Sequence, residues 1–148
     1  MPAERAALQL AMGQFGEDFD LDAWRTAYDS PDPLDMNRVR QVTGGYAELV
    51  NHCTEMVRAA VSLGALRPLD RRLDAPGDYR ALAQAGGVSK ESARELIRLH
   101  STRNKLAHIY IEVRADELHA AVLALLDRLP RFVKDYVAWL ARSGYELS

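Results

Sequence analysis

Four side chains that can bind or transform a phosphate group lie within the eight positions 103–110: Arg103, Asn104, His108 and Tyr110. A histidine titrates near neutral pH and can therefore move a proton, whereas an arginine stays charged and can stabilise a phosphate that gains negative charge. If one helix continues to His108, Asn104 and His108 share a face because they are four residues apart, and Arg103 lies at its edge. These are the components of a metal-free ribonuclease.

A single histidine cannot supply every group that such a reaction needs. One group must take the proton of the 2′-hydroxyl, another must give a proton to the departing oxygen, and a cation must lie beside the phosphate. A two-fold homodimer would supply the missing group by bringing His108 and Arg103 of both subunits to one cleft. The residues alone leave a structural alternative equally open, in which Asn104 and His108 stabilise the helix end and Tyr110 belongs to the core.

Helix-forming residues dominate the sequence and alternating β-branched stretches are nearly absent, which predicts an all-α fold. We expect short helices over 3–12 and from about residue 20, then a long helix over 35–62. Gly44 and Gly45 inside the long helix indicate a bend or a close helix approach. The predicted architecture is an up-and-down bundle of four main helices with short extra helices.

Two further helices complete the predicted bundle. Ser89 caps the helix that carries the motif, which should run through Arg103. Its apolar side is formed by Ala93, Leu96, Ile97 and His100. The last helix, over 116–142, has apolar residues at steps of three and four, and Pro130 should kink or interrupt it.

Length and composition indicate one globular domain over residues 1–148. Hydrophobic residues make up 48% and charged residues 27% of the chain, as in ordinary soluble proteins. The single cysteine, Cys53, cannot form an intramolecular disulfide, and no Cys/His spacing fits zinc. We expect no metal and no cofactor. Without a signal sequence or a long apolar run, we also expect a cytoplasmic protein that does not contact membranes.

Charge is distributed unevenly along the chain. Residues 1–36 carry two basic and eight acidic side chains, a net −6, whereas residues 89–114 carry six basic and three acidic ones, a net +3. The basic strip predicts RNA contacts by Arg94, Arg98 and Lys105, with a solvated helix face as the alternative. The acidic first third is interpreted as a solvated terminus, with a partner-binding surface as the alternative.

The pattern Arg-Asn, three residues, His, one residue, Tyr resembles the signature of the HepT branch of the HEPN superfamily. The resemblance extends to segment 77–89, which leads into the motif helix, and to the helix that contains 49–52. It covers roughly residues 37–140, and the acidic residues 1–36 match only loosely. One departure is Ile109, where the family often has a polar residue or glycine, and this could narrow the cleft.

The resemblance implies a metal-independent endoribonuclease that acts as a homodimer, in which Arg103 and His108 cleave RNA and Asn104 orients the site. It further implies the toxin of a toxin–antitoxin pair. Its partner would be a small nucleotidyltransferase antitoxin of the MntA type, which adenylylates Tyr110. Each adenylate would add negative charge and bulk beside the cleft that must hold RNA phosphate.

Three other classes of function remain open from the sequence. The first is a non-catalytic HEPN module that binds nucleotides or serves as the substrate-binding partner of the nucleotidyltransferase. The second is a helical interaction protein, in which Arg103 and His108 would point into different surroundings. The third, a non-catalytic nucleic-acid-binding protein, is disfavoured by the net charge of −2 and by the lack of a helix-turn-helix pattern.

Overall fold

The computed structural model describes residues 2–67, 74–108 and 112–145. Within these ranges the chain forms α-helices and one 3-10 turn at Gly13–Phe15, with no β-strand, so the predicted all-α HEPN-like fold is confirmed. No described helix combines the length and apolar composition needed to cross a bilayer. The helices are α1 (Pro2–Met12), α2 (Leu21–Tyr28), α3 (Pro33–Ser62), α4 (Ala75–Gln84), α5 (Lys90–Ala107) and α6 (Ala115–Arg142).

Side-chain caps begin α2 and α5 near the places that the sequence indicates. The Asp20 carboxylate accepts the backbone N–H of Ala23 at 2.8 Å and begins α2. Ser89 Oγ accepts the backbone N–H of Ser92 at 3.0 Å and begins α5. Each cap satisfies an N–H group that the first turn leaves without a partner. The predicted start of the motif helix is therefore confirmed.

The amphipathic stripe of α6 forms the centre of the core. It packs against α2, α3 and α5, and Val133 is its only half-buried member. Pro130 lies inside α6, and the helix continues through it from Ala115 to Arg142, so the predicted interruption is wrong. Proline removes one backbone hydrogen bond, and apolar burial on both sides of Pro130 holds the helix together. The buried members are Leu118, Val122, Leu125, Leu129, Phe132, Tyr136 and Leu140.

The two glycines of α3 have different surroundings. A Cβ at Gly45 would lie 3.2 Å from Leu8 Cδ1 of α1, closer than ordinary van der Waals contact, whereas Gly44 has no neighbour within 4 Å. The close helix approach predicted for this pair is therefore confirmed at Gly45. Its missing side chain lets α1 pack directly on α3.

The acidic first third is part of the core, so its interpretation as a solvated terminus is wrong. Phe15 and Trp24 are buried and pack edge to face at 5.0 Å between ring centroids. Trp24 Nε1 donates to the carbonyl of Ala115 at 2.9 Å, and Arg25 makes two bonds of 2.6 Å to the Asp116 carboxylate. The α1–α2 region thus fixes the start of α6, a few residues after the motif.

Candidate active site

The motif lies where α5 ends. The helix stops at Ala107, and His108 is its C-cap, with an extended backbone at φ −96° and ψ 121°. The helix does not continue to His108, so the four-residue spacing does not place Asn104 and His108 on one helical face. The β-branched Ile109 that follows favours this end, because its stiff side chain lowers helix propensity.

Arg103 and Asn104 contact each other in the last turn of α5. Arg103 Nη1 donates to Asn104 Oδ1 at 3.3 Å. Arg103 is half-buried, whereas Asn104 and His108 are exposed. Within the described residues, no carboxylate forms an ion pair with Arg103. Its guanidinium is therefore oriented by a neutral amide, and its positive charge stays available for an anion.

Tyr110, the predicted site of adenylylation, lies outside the described residues, as does Ile109. The chain is described again from residue 112, where Val113 is buried. The hydroxyl of Tyr28 in α2 donates to the carbonyl of Val113. Val113, three residues after Tyr110 in the sequence, is thus bonded to the first third of the chain.

The three predicted RNA-binding residues occupy two different grooves beside α5. Arg98 and Lys105 lie in the groove between α5 and α6. Arg98 is 3.4 Å from Glu95, and Lys105 Nζ is 3.0 Å from Glu117 Oε1, so part of their charge is already neutralised.

Arg94 lines a separate groove of about 230 Å³ between α4 and α5, together with Arg80 and Lys90. No ion pair joins these three cations to any carboxylate of the described chain. Arg103 follows Arg94 by nine residues, or two and a half helical turns, so the two arginines project from opposite sides of α5. Arg94 therefore does not lie on the same side of α5 as Arg103.

Sequence reasoning missed His100, which it placed on the apolar side of α5. His100 is half-buried, and its Nδ1 lies 3.5 Å from Thr54 Oγ1 of α3. Thr54 Oγ1 is in turn 3.2 Å from the hydroxyl of Tyr79 in α4. Arg103 and Asn104 follow His100 by three and four residues, which is the spacing of one helical face. That spacing was the signal available in the sequence.

The surroundings of His100 favour its neutral form. Burial lowers the pKa of His100, and the positive charges of Arg103 and Arg58 lower it further, whereas Asp74 acts in the opposite direction. Burial also raises the pKa of the Tyr79 phenol, which therefore keeps its proton and remains a donor. One helical turn before Arg103, the structure thus places the imidazole of His100 where its neutral form is favoured.

His52 of α3 is half-buried. Its Nε2 lies 3.5 Å from Glu4 and 3.8 Å from Glu48. These three residues could hold a cation, because their ligand atoms all lie within 4.8 Å of one another. His52 faces away from Thr54, because a step of two residues along α3 rotates the side-chain direction by about 200°. This group is not part of the Arg103 site.

The fold and the motif together define the class of the protein as a helical bundle of the HEPN type. The family model described as "Ribonuclease HepT-like" matches residues 48–136, from the middle of α3 to most of α6. The match covers more than half of the chain and includes the whole of α5. The chain therefore belongs to the HepT-like ribonuclease family, whose substrate is RNA. Searches among curated proteins and among solved structures each gave no match.

Proposed function

We propose that the chain is the toxin of a toxin–antitoxin pair and cleaves RNA without a metal ion. Arg103 and His108 are the proposed catalytic side chains, and Asn104 positions Arg103. The observation that carries this proposal is the 3.3 Å contact of Asn104 with an arginine that has no carboxylate partner among the described residues. This contact lies one helical turn before an exposed histidine, within the segment that matches the ribonuclease family.

The reaction follows from these side-chain types. The 2′-oxygen of a ribose bonds to the adjacent phosphorus, and the bond from phosphorus to the 5′-oxygen breaks. Arg103 stabilises the negative charge that develops on the phosphate. His108 gives a proton to the departing 5′-oxygen. The products are a 2′,3′-cyclic phosphate and a 5′-hydroxyl, so no water or metal enters this step.

The proposed active form is a homodimer of one-domain chains that act in the cytoplasm. Exposure of Asn104 and His108 supports this, since a second subunit can close over them and exclude water from the cleft. Arg94, with Arg80 and Lys90, would attract RNA toward the protein. Light scattering during gel filtration tests the dimer: the predicted mass is twice 16.5 kDa, and a monomeric active enzyme would contradict it.

The proposed partner is a nucleotidyltransferase antitoxin of the MntA type that adenylylates Tyr110. The position of Tyr110, two residues after His108, supports this proposal because a phosphate there would repel substrate phosphate. Mass spectrometry after co-expression tests it. The expected result is an added adenylate on the wild type and none on Tyr110→Phe. Unmodified wild type in the presence of an active antitoxin would contradict the proposal.

Induced expression in a bacterial host tests the toxin activity. Wild type is expected to arrest growth and degrade cellular RNA, whereas Arg103→Ala and His108→Ala are expected to be harmless. Arg131→Ala and His52→Ala serve as matched controls outside the site and should remain toxic. A folded wild type that neither arrests growth nor degrades RNA would instead favour a non-catalytic, nucleotide-binding module.

A further inference from the structure

The polar cluster of Thr54, Tyr79 and His100 adjoins the proposed site and has no part in the reaction as described so far. We propose that His100 is the second proton-transfer group, with its Nε2 taking the proton of the attacking 2′-hydroxyl. This inference rests on the proposed ribonuclease function and adds a catalytic residue to it. It supplies within each chain the base that a single motif histidine lacks.

The hydrogen bonds around Thr54 determine which nitrogen of His100 carries the proton. The Thr54 hydroxyl has one proton and two lone pairs, and it has three partners. It is 3.2 Å from the carbonyl of Val50, which can only accept, so Thr54 donates to it. Tyr79 and His100 Nδ1 must then both donate to Thr54 Oγ1. A proton on Nδ1 leaves Nε2 as the nitrogen with a free lone pair, which is the form that a base requires.

The position of His100 on α5 places this lone pair beside the phosphate-binding arginine. Arg103 follows His100 by one turn, about 4.5 Å along the helix axis. His108, the C-cap of α5, follows His100 by eight residues. Arg103 therefore lies between the two histidines along the helix, as expected if a phosphate bound to Arg103 has a base on one side and an acid on the other.

Charged groups on the neighbouring elements support a neutral His100. Arg58 of α3 and Arg103 of α5 disfavour the imidazolium, and Asp74 at the start of α4 is the opposing charge. In the reaction, the 2′-hydroxyl proton passes to His100 Nε2 as the 2′-oxygen bonds to phosphorus. The positive charge formed on His100 is short-lived, because the imidazolium returns its proton to solvent after the products leave.

His100→Asn is the variant that separates the base from its structural role. An asparagine amide can still donate a hydrogen bond to Thr54 in place of Nδ1, but it has no counterpart of Nε2. We expect kcat for a defined RNA to fall by about 10²- to 10⁴-fold, with KM within twofold of wild type. The decline of kcat at acidic pH, which reports protonation of the base, should also disappear. His52→Asn is the matched control and should retain wild-type kinetics.

Two Thr54 variants test the tautomer without changing a histidine. Thr54→Ser keeps the acceptor and should retain kcat, whereas Thr54→Val removes it and should lower kcat with KM unchanged. Nitrogen-15 NMR of the wild-type histidines provides a readout that does not depend on any His100 variant folding. We expect His100 to carry its proton on Nδ1, and a proton on Nε2 overturns the proposal.

The outcomes separate this proposal from the one on which it rests. If wild type cleaves RNA and His100→Asn cleaves it equally well with the same pH profile, His100 is not the base, and the ribonuclease function stands. If Arg103→Ala and His108→Ala are inactive and His100→Asn has the predicted loss of kcat with an unchanged KM, the proposal is supported. A folded wild type that cleaves no RNA overturns both.

Discussion

The two sides of α5 use positive charge in different ways. The inner side is formed by half-buried His100 and Arg103 and by exposed Asn104, and the hydrogen-bond partners of His100 and Arg103 are neutral. The outer side carries four basic residues, of which Arg98 and Lys105 are paired with glutamates. Charges in solvent are screened and contribute little per pair, whereas a partly buried group acts strongly on what it touches. The outer side fits attraction of RNA, and the inner side fits chemistry.

Substitution of Arg103 should have the largest effect. Arg103→Lys keeps the charge but loses the planar fork that can bind two phosphate oxygens. We expect kcat to fall by about 10²- to 10³-fold, as for the loss of one group that stabilises a developing negative charge. Single-turnover cleavage of a defined RNA measures this effect. If Arg103→Lys and Arg94→Lys lower kcat equally, the distinction between the two sides of α5 is wrong.

Substitution of Arg94 should weaken binding and leave the chemical step unchanged. Loss of one phosphate contact lowers the slope of log affinity against log salt concentration by about 1. Because Arg98 is already paired with Glu95, Arg98→Ala should weaken RNA binding less than Arg94→Ala does. RNA binding to variants in the His108→Ala background, in which we expect no cleavage, measured by fluorescence anisotropy at several salt concentrations, checks both. A larger loss for Arg98→Ala would reverse this ranking.

A hydrogen bond that joins α3 to α5 should contribute measurably to the free energy of unfolding. The buried hydroxyl of Tyr46 in α3 donates to the carbonyl of Leu99 in α5 at 2.6 Å. Tyr46→Phe removes this bond and should lower the free energy of unfolding by about 1 kcal/mol. Exposed Arg98→Ala should change it by less than about 0.5 kcal/mol. Urea denaturation followed by circular dichroism compares the two, and equal losses would show that α5 does not depend on this contact.

The smallest expected effect is the pH dependence that His100 gives to stability. Its pKa is lower in the folded protein than the value near 6.5 of an unfolded chain. Between these two values the unfolded state binds more protons, so stability falls as the pH drops below about 6.5. His100→Asn should flatten this decline in thermal melts taken from pH 7 to pH 5. An unchanged slope would mean that His100 is not buried as a neutral group.

Most of the fold could be predicted from the sequence, because its signals are local. The cap Ser89 and the apolar stripe of α6 correctly located the motif helix and the last helix. Of the two outcomes predicted for Pro130, the interruption was wrong because the burial on both sides that offsets its lost hydrogen bond is a tertiary effect. The role of the first third was missed for the same reason. Its acidic composition hid the contacts of Trp24 and Arg25 with α6, which lie 91 residues away along the chain.

The candidate site was predicted in part. The types and spacing of Arg103, Asn104 and His108 drew attention to the end of α5, but His100 was taken for an apolar-side residue. The spacing of His100 to Arg103 and Asn104 was visible in the sequence, but a histidine among apolar residues of a helix is as consistent with an ordinary core position. Its contact with Thr54 joins α5 to α3 across 46 residues of chain, and only the packed structure shows it.

Cleavage of a defined RNA by purified wild type and Arg103→Ala, in the presence of a metal chelator, tests the central claim most directly. We predict that folded wild type cuts the RNA to products with 2′,3′-cyclic phosphate ends and that folded Arg103→Ala does not. Cleavage by wild type that stops when metal is removed, or equal cleavage by Arg103→Ala, would contradict it.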